Sequence, residues 1–196
     1  MRSMVAHSTT TTSSDSPSPV VGLRKLTVLD SRRMIQIHRA TPDQADALTV
    51  LAHAAKAHWG YPQAWIDFWK TELTLKSDFI ADNEVFVAIN QDKIVGCCAL
   101  VTSPGLVELE HMWIDPNEMG KGIGRALFEY TQRRAIELGF TNLELSADPH
   151  AEAFYERMGA RRIGDIPADM FGQSRVLPRM RIQFEAPDAS ASDHAI

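Results

Sequence analysis

The order of elements in this chain depends on residues 111–127, which read HMWIDPNEMGKGIGRAL. The stretch predicts the end of a strand, a glycine-rich loop and the start of a helix. Asp115-Pro116-Asn117 predicts a turn, because these residues cannot continue a strand. Gly120, Gly122 and Gly124 then alternate directly before a helical pattern, and glycines there let backbone N–H groups converge on one concave site. Together with the partial positive charge of a helix N-terminus, such a loop suits a phosphate or pyrophosphate.

Two common phosphate-binding motifs do not fit this loop. A dinucleotide fingerprint, G-x-G-x-x-G, needs a third glycine where this chain has Arg125 or Leu127, depending on the register. A P-loop needs Ser or Thr directly after its lysine, and Lys121 is followed by glycine. What remains, over residues 119–124, resembles the coenzyme A loop of the GNAT acetyltransferase superfamily, Q/R-x-x-G-x-G/A. Met119 stands where that family has Gln or Arg, which removes one side-chain donor and leaves the backbone amides in place.

A second motif carries the same resemblance. Residues 148–160 read DPHAEAFYERMGA and resemble the family's N-x-x-A-x-x-F-Y-E-x-x-G-F. Asp148 replaces the Asn and Ala160 replaces the aromatic residue, whereas the Ala, Phe, Tyr, Glu and Gly positions all match. Because both motifs occur in the family's order, the chain is identified as a member of the GNAT superfamily, with the resemblance covering residues 35–185.

Composition limits the remaining classes. A chain of 196 residues with 44% apolar content predicts one globular domain. A formal net charge of −5 without a dominant basic stripe argues against a nucleic-acid-binding protein. Cys97 and Cys98 are adjacent and would point to opposite faces of a strand, so we interpret them as buried thiols in a reducing, cytoplasmic compartment. No apolar run approaches the roughly 18 residues that a membrane span needs.

The composition also divides the chain into three parts. Residues 1–33 are predicted to be a disordered N-terminal extension, because residues 9–18 are rich in Ser, Thr, Pro and Asp and show no periodicity. Residues 34–185 are predicted to form the N-acetyltransferase (GNAT) domain. Residues 186–196 are predicted to be a flexible C-terminal tail.

Within the domain, the patterns predict the order β-α-α-β-β-β-α-β-α-β-β. The first helix should start at residues 41–44, with Thr as N-cap, Pro at the first helical position and Gln closing a capping box. Two late strands, 161–165 and 179–184, are predicted to be separated by a long loop. We therefore expect a mixed α/β (α+β) fold with a mostly antiparallel central sheet and helices on both faces. The same order is implied by the resemblance to the acyl-CoA N-acyltransferase fold.

The resemblance implies an acetyl-CoA-dependent N-acetyltransferase in which a primary amine attacks the thioester directly in a ternary complex. In the family, a carboxylate on the central strand acts as general base and the tyrosine of the second motif as acid. Here the carboxylates are Glu108 and Glu110, and regular alternation places both on the face of Met112 and Ile114, unless a bulge changes their facing. Which glutamate is the base is left open at this point. The candidate acid is Tyr155.

The resemblance also implies the acetyl-CoA contacts. Main-chain groups at the end of the central strand should hold the pantetheine arm as an added pseudo-strand, and one of their amides should polarise the thioester carbonyl. The glycine loop should hold the pyrophosphate, with help from basic side chains. The expected cofactor-binding residues are Met112, Trp113, Ile114, Met119, Gly120, Lys121, Gly122, Ile123, Gly124, Arg125, Asp148 and Phe154.

The acceptor pocket is expected at the first two helices and the loop between them, where the family has it, with His58, Trp59 and Tyr61 as substrate-binding residues. An aromatic lining suits a cation–π contact with an amine. We expect a small-molecule or peptide amine as acceptor, and no nucleic acid, membrane or metal; self-association into a homodimer is left open. His111 alternates away from Glu110 and is interpreted as a structural strand histidine.

Two other function classes stay open. One is a non-catalytic CoA-binding or regulatory module with the same fold, although the presence of Glu108, Glu110 and Tyr155 favours the enzyme. The other, weaker, is a nucleotide-binding α/β protein.

Overall fold

One mixed sheet organises the part of the chain that the structure, a computed structural model, describes: residues 27–30 and 33–184. Its strands are β1 (Thr27–Asp30), β2 (Arg33–Arg39), β3 (Glu84–Asn90), β4 (Lys93–Ser103), β5 (Leu106–Ile114), β6 (Asn142–Ser146), β7 (Arg161–Met170) and β8 (Gln173–Gln183). They lie in the order β1-β2-β3-β4-β5-β6-β8-β7. All neighbours are antiparallel except β5 and β6, which confirms the predicted mixed, mostly antiparallel sheet.

Helices cover both faces of this sheet, as predicted. They are α1 (Ala45–Ala57), α2 (Gln63–Phe68), α3 (Ser77–Asp82), α4 (Ile123–Glu137) and α5 (Glu152–Arg157), with short 3-10 turns at Pro42–Gln44, Pro116–Glu118 and Pro149–Ala151. Alternate residues of β3 enter different cores: Val85 and Val87 pack with α1, α2 and α3, whereas Phe86 and Ala88 pack with α4 and α5. Cys97 and Cys98 divide between the two cores in the same way, and both are buried free thiols as predicted.

The start of the first helical segment follows its sequence signal. The Thr41 N–H donates to Gln44 Oε1 over 3.0 Å, which satisfies a backbone donor that the helix itself cannot pair. The apolar face of α1 then buries Leu48, Leu51 and Ala52 against the sheet. Because α1 is anchored at both its cap and its apolar face, its last turn has a defined position at the edge of β5.

A glycine in β4 determines how closely α4 approaches the sheet. A Cβ atom at Gly96 would lie 2.9 Å from both Ile114 Cδ1 and Leu127 Cδ1, so only glycine fits without moving these side chains. The close contact brings the N-terminus of α4, which begins at Ile123, beside the end of β5. The glycine loop and the central strand therefore meet at one place.

The N-terminal boundary differs from the prediction. Thr27–Asp30 forms β1 and pairs with β2, and Arg33 is the first residue of β2, so part of the predicted extension belongs to the sheet. The backbone of β1 continues the hydrogen-bonded ladder beyond β2, which a composition argument does not detect. The remainder of the predicted extension and the predicted tail, 186–196, lie outside the described residues.

The prediction of a long loop after residue 165 is wrong, because the chain there continues β7 and returns as β8, so that the two strands form a hairpin. Phe171 and Gly172 form its two-residue turn, both with positive φ angles (54° and 80°) as the tight hairpin turn requires. Pro167 is tolerated because β7 is an edge strand, and Pro178 because it lies beyond the last residue of β8 that pairs with β6. Helix α3 is a further element that the sequence patterns did not predict.

Candidate active site

The candidate site is a cavity that opens where β5 and β6 separate. The two strands pair only at Glu108–Glu144 and Leu109–Leu145, so their remaining edges are free to diverge. A cavity of about 440 Å³ lies between these edges, the N-terminus of α4 and helix α5. We call it the β5–β6 cavity. Of the predicted residues it is lined by Trp59, Glu110, Met112, Trp113, Ile114, Met119, Gly120, Gly122, Gly124, Arg125, Asp148, Phe154 and Tyr155.

One end of this cavity is formed by the glycine loop. Gly120 and Gly122 have φ angles of +76° and +84°, which L side chains adopt only with strain, and Gly122 is the N-cap of α4. A Cβ at either glycine would meet no atom within 4 Å, so the space beside them is open. Free backbone N–H groups at the first turn of a 15-residue helix make this end suitable for an anion.

Two residues predicted to contact the cofactor do not line the cavity. Ile123 is buried in the core. Lys121 Nζ donates to the Asn117 carbonyl over 2.6 Å and pairs with Glu118 at 3.1 Å. The cations that do line the cavity are Arg125, which was predicted, and Arg157, which was not.

A β-bulge changes the facing of the central strand. The register of β4 and β5 shifts beyond the Ala99–His111 pair, which leaves Glu110 as an extra residue on β5. Leu109 and Met112 therefore face the same core although they are three residues apart. The expectation that both glutamates share the face of Met112 by regular alternation is wrong, since it assumed an unbroken period of two.

Glu108 is held in an ion-pair cluster outside the cavity. Its Oε1 lies 2.6 Å from a guanidinium nitrogen of Arg179. Arg179 also binds Glu144 at 2.8 Å, and Glu144 in turn binds Arg181 at 2.5 Å. Burial opposes ionisation of Glu144, but these two arginines outweigh it and hold the pKa of Glu144 below its usual value. Glu108 is thus satisfied by a protein partner on the sheet surface.

The side chain of Glu110, in contrast, lies in a part of the cavity that is open to solvent. No hydrogen bond or ion pair within the described residues engages its carboxylate, and it lines the β5–β6 cavity. Partial burial is the main cause that raises the pKa of Glu110, with repulsion from Glu108 and Glu72 adding to it and Arg179 opposing it. A carboxylate with a raised pKa is a better proton acceptor when ionised than an ordinary surface glutamate.

Tyr155 faces the same cavity from α5. Its ring packs against Phe128 and Phe154 at centroid distances of 5.4 and 5.1 Å, and the residue is buried. Burial is the main cause that raises the pKa of Tyr155 above its usual value, and the nearby Asp148 carboxylate adds to it. The phenol is therefore protonated at neutral pH and is available as a hydrogen-bond donor.

Asp148, predicted as a cofactor contact, has its carboxylate occupied by protein donors. Oδ1 accepts from Tyr61 Oη (2.8 Å) and the His150 N–H (3.0 Å), and Oδ2 accepts from Lys56 Nζ (2.6 Å) and Arg175 (2.9 Å). Burial opposes its ionisation, but the charge and hydrogen bond of Lys56 and the further donors outweigh that effect and lower the pKa of Asp148. Although it lines the cavity, its side chain has little acceptor capacity left for a ligand.

Part of the cavity lining, away from the glycine loop in the sequence, is aromatic. The rings of Trp59 and His150 are stacked, with centroids 5.1 Å apart and planes inclined by 1°. His58 and Tyr61, predicted with Trp59, do not line the cavity. The Tyr61 ring is already covered by cations of the protein, with Lys56 Nζ and the Arg175 guanidinium each 5.0 Å from its centroid. Of the three residues predicted to bind the acceptor, Trp59 is therefore the one that lines the cavity.

His111 lies on β5 beside the bulge but faces α3. Its ring contacts Phe79 edge-on at 5.4 Å, and its Nδ1 accepts from the Trp113 indole over 3.3 Å. Burial lowers the pKa of His111 to about 4. The histidine is neutral at physiological pH, in agreement with a structural role.

Several cavity residues were not predicted from the sequence: Ala55, Leu109, Leu145, Ser146, His150, Ala151, Ala153 and Arg157. Arg157 had a signal, since it lies three residues after Phe154 on one helix and such residues share a face. His150, Ala151 and Ala153 lie within the second motif, and Leu109 lies on β5 itself. Ala55, Leu145 and Ser146 reach the cavity only because α1 and β6 pack beside β5, which no local pattern encodes.

Comparisons with known proteins agree with this geometry. Residues 81–159 match the family model of the acetyltransferase (GNAT) domain. The peptidyl-lysine N-acetyltransferase YjaB of Salmonella typhimurium is 31% identical over 100 residues, which are 50% of this chain and 65% of that protein. This chain thus matches less than two thirds of the length of that curated relative.

Solved structures share the fold at low sequence identity. The PaiA N-acetyltransferase of Thermoplasma acidophilum, in complex with coenzyme A, has a TM-score of 0.63 at 16% identity, covering 76% of this chain and 99% of that one. YncA, a putative acetyltransferase of Salmonella typhimurium with acetyl-CoA, has a TM-score of 0.58 at 19% identity, covering 79% and 98%. The two motifs and the family match agree that residues 81–159 are similar to the acetyltransferase (GNAT) domain, and the solved structures share the fold of the chain. None of the helices among the described residues is long and apolar enough to cross a membrane.

Proposed function

We propose that the chain transfers the acetyl group of acetyl-CoA to a primary amine by direct attack in a ternary complex. The observation that carries the proposal is the arrangement of the β5–β6 cavity. Its lining combines an anion site at the glycine loop, the carboxylate of Glu110 and the stacked rings of Trp59 and His150. Two solved structures of the same fold contain coenzyme A or acetyl-CoA, which supports this choice of cosubstrate.

Acetyl-CoA would lie along the free edge of β5. The pyrophosphate would bind the N–H groups between Gly120 and Gly124, with Arg125 and Arg157 neutralising its charge. The pantetheine amides would pair with backbone groups of residues 112–114, which line the cavity. This placement directs the thioester towards Glu110 and Tyr155.

The chemical difficulty is the charge of the amine. A lysine-like ammonium with a pKa of about 10.4 leaves only about one molecule in 2,500 unprotonated at neutral pH, a cost of roughly 4–5 kcal/mol. In the proposed mechanism Glu110 accepts this proton, directly or through a water molecule. The amine nitrogen then attacks the thioester carbon, and a backbone N–H of residues 112–114 stabilises the oxyanion.

Collapse of the tetrahedral intermediate breaks the carbon–sulfur bond. The electron pair leaves on sulfur, and the Tyr155 hydroxyl donates a hydrogen bond or its proton to the departing thiolate. Because the pKa of Tyr155 is raised, hydrogen-bond donation is the larger part of this role. The nitrogen of the adduct gives up its extra proton, through Tyr155 or water, to the thiolate, so the products are free coenzyme A and the neutral acetylated amine.

The acceptor class tested first should be a lysine ε-amine in a peptide. The Salmonella relative is named a peptidyl-lysine N-acetyltransferase, and an extended side chain of this kind would pass Trp59 and present its amine to Glu110. A long aliphatic stem beside an indole and a terminal ammonium near a carboxylate match the chemistry of this lining. Small-molecule amines belong in the same screen.

The test is release of free coenzyme A thiol from acetyl-CoA by the full chain, with a panel of lysine-containing peptides and small amines. We expect acceptor-dependent thiol release that disappears when the amine is acetylated in advance. Acetyl-CoA binding without turnover across the whole panel would support a non-catalytic CoA-binding module. Stabilisation by ATP but not by coenzyme A would support a nucleotide-binding protein.

A further inference from the structure

One buried polar cluster joins the elements around the cavity. It consists of Lys56, Tyr61, Asp148 and Arg175, and we call it the Asp148 cluster. Asp148 lies between β6 and α5, whereas its donors come from α1 (Lys56), from the connection between α1 and α2 (Tyr61) and from β8 (Arg175). Arg175 also donates to Tyr61 Oη over 3.1 Å, so the cluster closes on itself.

The cluster is shielded from solvent. The side chains of Lys56, Asp148 and Arg175 are 10%, 15% and 9% exposed. Both cations also lie over the ring of Trp69, Lys56 Nζ at 4.4 Å and the Arg175 guanidinium at 4.9 Å. Ion pairs that exclude water and have aromatic neighbours are held in a defined geometry, unlike exposed pairs that sample many conformations.

The charges of the cluster are unequal. Two cations bind one oxygen of Asp148, so the negative charge of this carboxylate is what allows Lys56 and Arg175 to lie next to each other. An isosteric amide at position 148 would keep an acceptor for Tyr61 and the His150 N–H but would leave two like charges facing a neutral NH₂ group. The geometry of the Asp148 cluster therefore depends on the charge of the side chain at position 148 and not only on the shape of that side chain.

The cluster adjoins the aromatic part of the cavity lining. Asp148 and His150 both line the cavity, and the Asp148 carboxylate binds the His150 N–H. Trp59, stacked on His150, lies three residues after Lys56 and two before Tyr61, so both flanks of Trp59 are tied to the same carboxylate. Loss of this tie would free the indole from its position over the cavity.

We propose that Asp148 is a positioning residue that holds the α1–α2 connection and β8 against the cavity, so that the stacked Trp59 and His150 form a fixed wall of the acceptor site. For its kinetic consequence this inference rests on the proposed acetyl transfer. Because the carboxylate is filled by protein donors, it acts on acceptor binding and leaves acetyl-CoA affinity unchanged.

The test compares Asp148→Asn with the wild-type chain. A loosened acceptor wall should raise the KM for the acceptor peptide by about tenfold or more, the scale expected when a substrate-positioning group is displaced. The Kd for acetyl-CoA, measured by calorimetry, should stay within about twofold. Adding Lys56→Met removes one of the two opposed cations, so the double variant should recover part of the lost acceptor affinity.

The matched control is Arg162→Met. Arg162 pairs with Glu152 at 2.8 Å and so also joins the final hairpin to α5, but it does not touch the α1–α2 connection. We expect an unchanged acceptor KM in this variant. An equal rise in KM for the control would show that any loosened ion pair suffices, and the inference would be wrong.

A second measurement does not depend on activity. Hydrogen exchange of the full Asp148→Asn chain, followed by mass spectrometry, should be faster than in wild type at residues 58–64 and 171–177 and unchanged in the glycine loop, 119–124. Should the wild-type chain transfer no acetyl group, this arm still tests the tie. If Asp148→Asn fails to fold, Tyr61→Phe, which removes a single donor, is measured in the same way with smaller changes expected.

Three further outcomes would overturn the inference. Unchanged exchange in both segments would show that Asp148 does not hold them. Faster exchange with an unchanged acceptor KM would reduce the cluster to a stabilising role only. A rise in the acetyl-CoA Kd equal to the rise in acceptor KM would make Asp148 a cofactor contact.

Discussion

The most informative single substitution is Glu110→Gln, with Glu108→Gln as its matched partner. Both remove one negative charge from β5 at constant size. Only Glu110 lines the β5–β6 cavity, whereas Glu108 is paired with Arg179 at 2.6 Å. If Glu110 takes the proton from the acceptor amine, the two variants should differ strongly in rate.

The magnitude follows from the role. Removing a general base lowers the rate by about 10²–10⁴-fold, which corresponds to roughly 3–5 kcal/mol of transition-state stabilisation. Glu110→Gln should show this loss in kcat, with little change in the Kd for acetyl-CoA. The kcat of Glu108→Gln should stay within about tenfold of wild type, because Glu108 affects the reaction only through the charge that its carboxylate places near Glu110.

The pH dependence separates the two variants further. Because the pKa of Glu110 is raised by burial and by Glu108, activity should rise with pH along a limb that lies above the pKa of an ordinary glutamate. Removing the charge of Glu108 lowers the pKa of Glu110, so the limb of Glu108→Gln should move to lower pH. Initial rates of thiol release across the acidic to neutral range measure both limbs.

Stability gives an independent check with a defined sign. The pKa of Glu110 is higher in the folded than in the unfolded chain, so ionisation of Glu110 destabilises the folded state. The destabilisation begins as the pH rises through the pKa of the unfolded chain and is complete above the pKa of the folded chain. At neutral pH, Glu110→Gln should therefore raise the Tm, and at strongly acidic pH this gain should vanish. A variant with a lowered Tm at neutral pH and a retained rate would refute the assignment of Glu110.

Three further predictions concern neighbouring groups. Tyr155→Phe should lower kcat by about tenfold or more and leave the Kd for acetyl-CoA unchanged, which single-turnover rates and calorimetry would show; an intact rate would exclude its role at the thiolate. The pKa of His111 is lowered to about 4 in the folded chain. Its contribution to stability is therefore present above the unfolded pKa of about 6.5 and is lost as the pH falls through the folded pKa. NMR titration of the imidazole should show no protonation near neutral pH, and a normal titration would contradict its buried position. Glu144→Gln breaks the ion pairs to Arg179 and Arg181 and should reduce the free energy of unfolding by about 1–3 kcal/mol at neutral pH. Because the pKa of Glu144 is lowered in the folded state, the difference from wild type should shrink on acidification. An equal loss at all pH values in denaturant titrations would contradict the ion-pair account.

Much of the fold was predictable because its signals are local. The cap at Thr41 and the glycines before α4 are short patterns that define one helix each. Helix α3 was missed because Ser77–Asp82 is only six residues long and has neither the starting proline of α2 nor the family motif of α5. The β7–β8 hairpin was missed because two prolines weaken its strand pattern. Only the sheet order shows that neither proline lies where a neighbouring strand needs a backbone N–H donor.

The candidate site was predictable only where one stretch of chain forms it. The glycine loop and Tyr155 belong to contiguous motifs, and the structure brings them to one cavity. The facing of Glu108 and Glu110 depends on a bulge against β4, so it could not be read from β5 alone. The Asp148 cluster joins residues 92 and 27 positions apart in the chain, and no local pattern relates them.

The central claim is that the β5–β6 cavity binds acetyl-CoA through the glycine loop. Calorimetric titration of the full chain with acetyl-CoA tests it, using Gly122→Val and Gly105→Val as a pair. Both glycines have positive φ angles (84° and 79°), and a Cβ at either meets no atom within 4 Å, so the backbone strain is matched. Gly105 lies in the turn between β4 and β5, whereas Gly122 lines the cavity.

We predict that the wild-type chain and Gly105→Val bind acetyl-CoA with similar affinity, and that Gly122→Val, whose side chain occupies the space beside the loop amides, loses binding by about 100-fold or more. Equal affinity of the two variants, or no binding by the wild-type chain, would contradict the account.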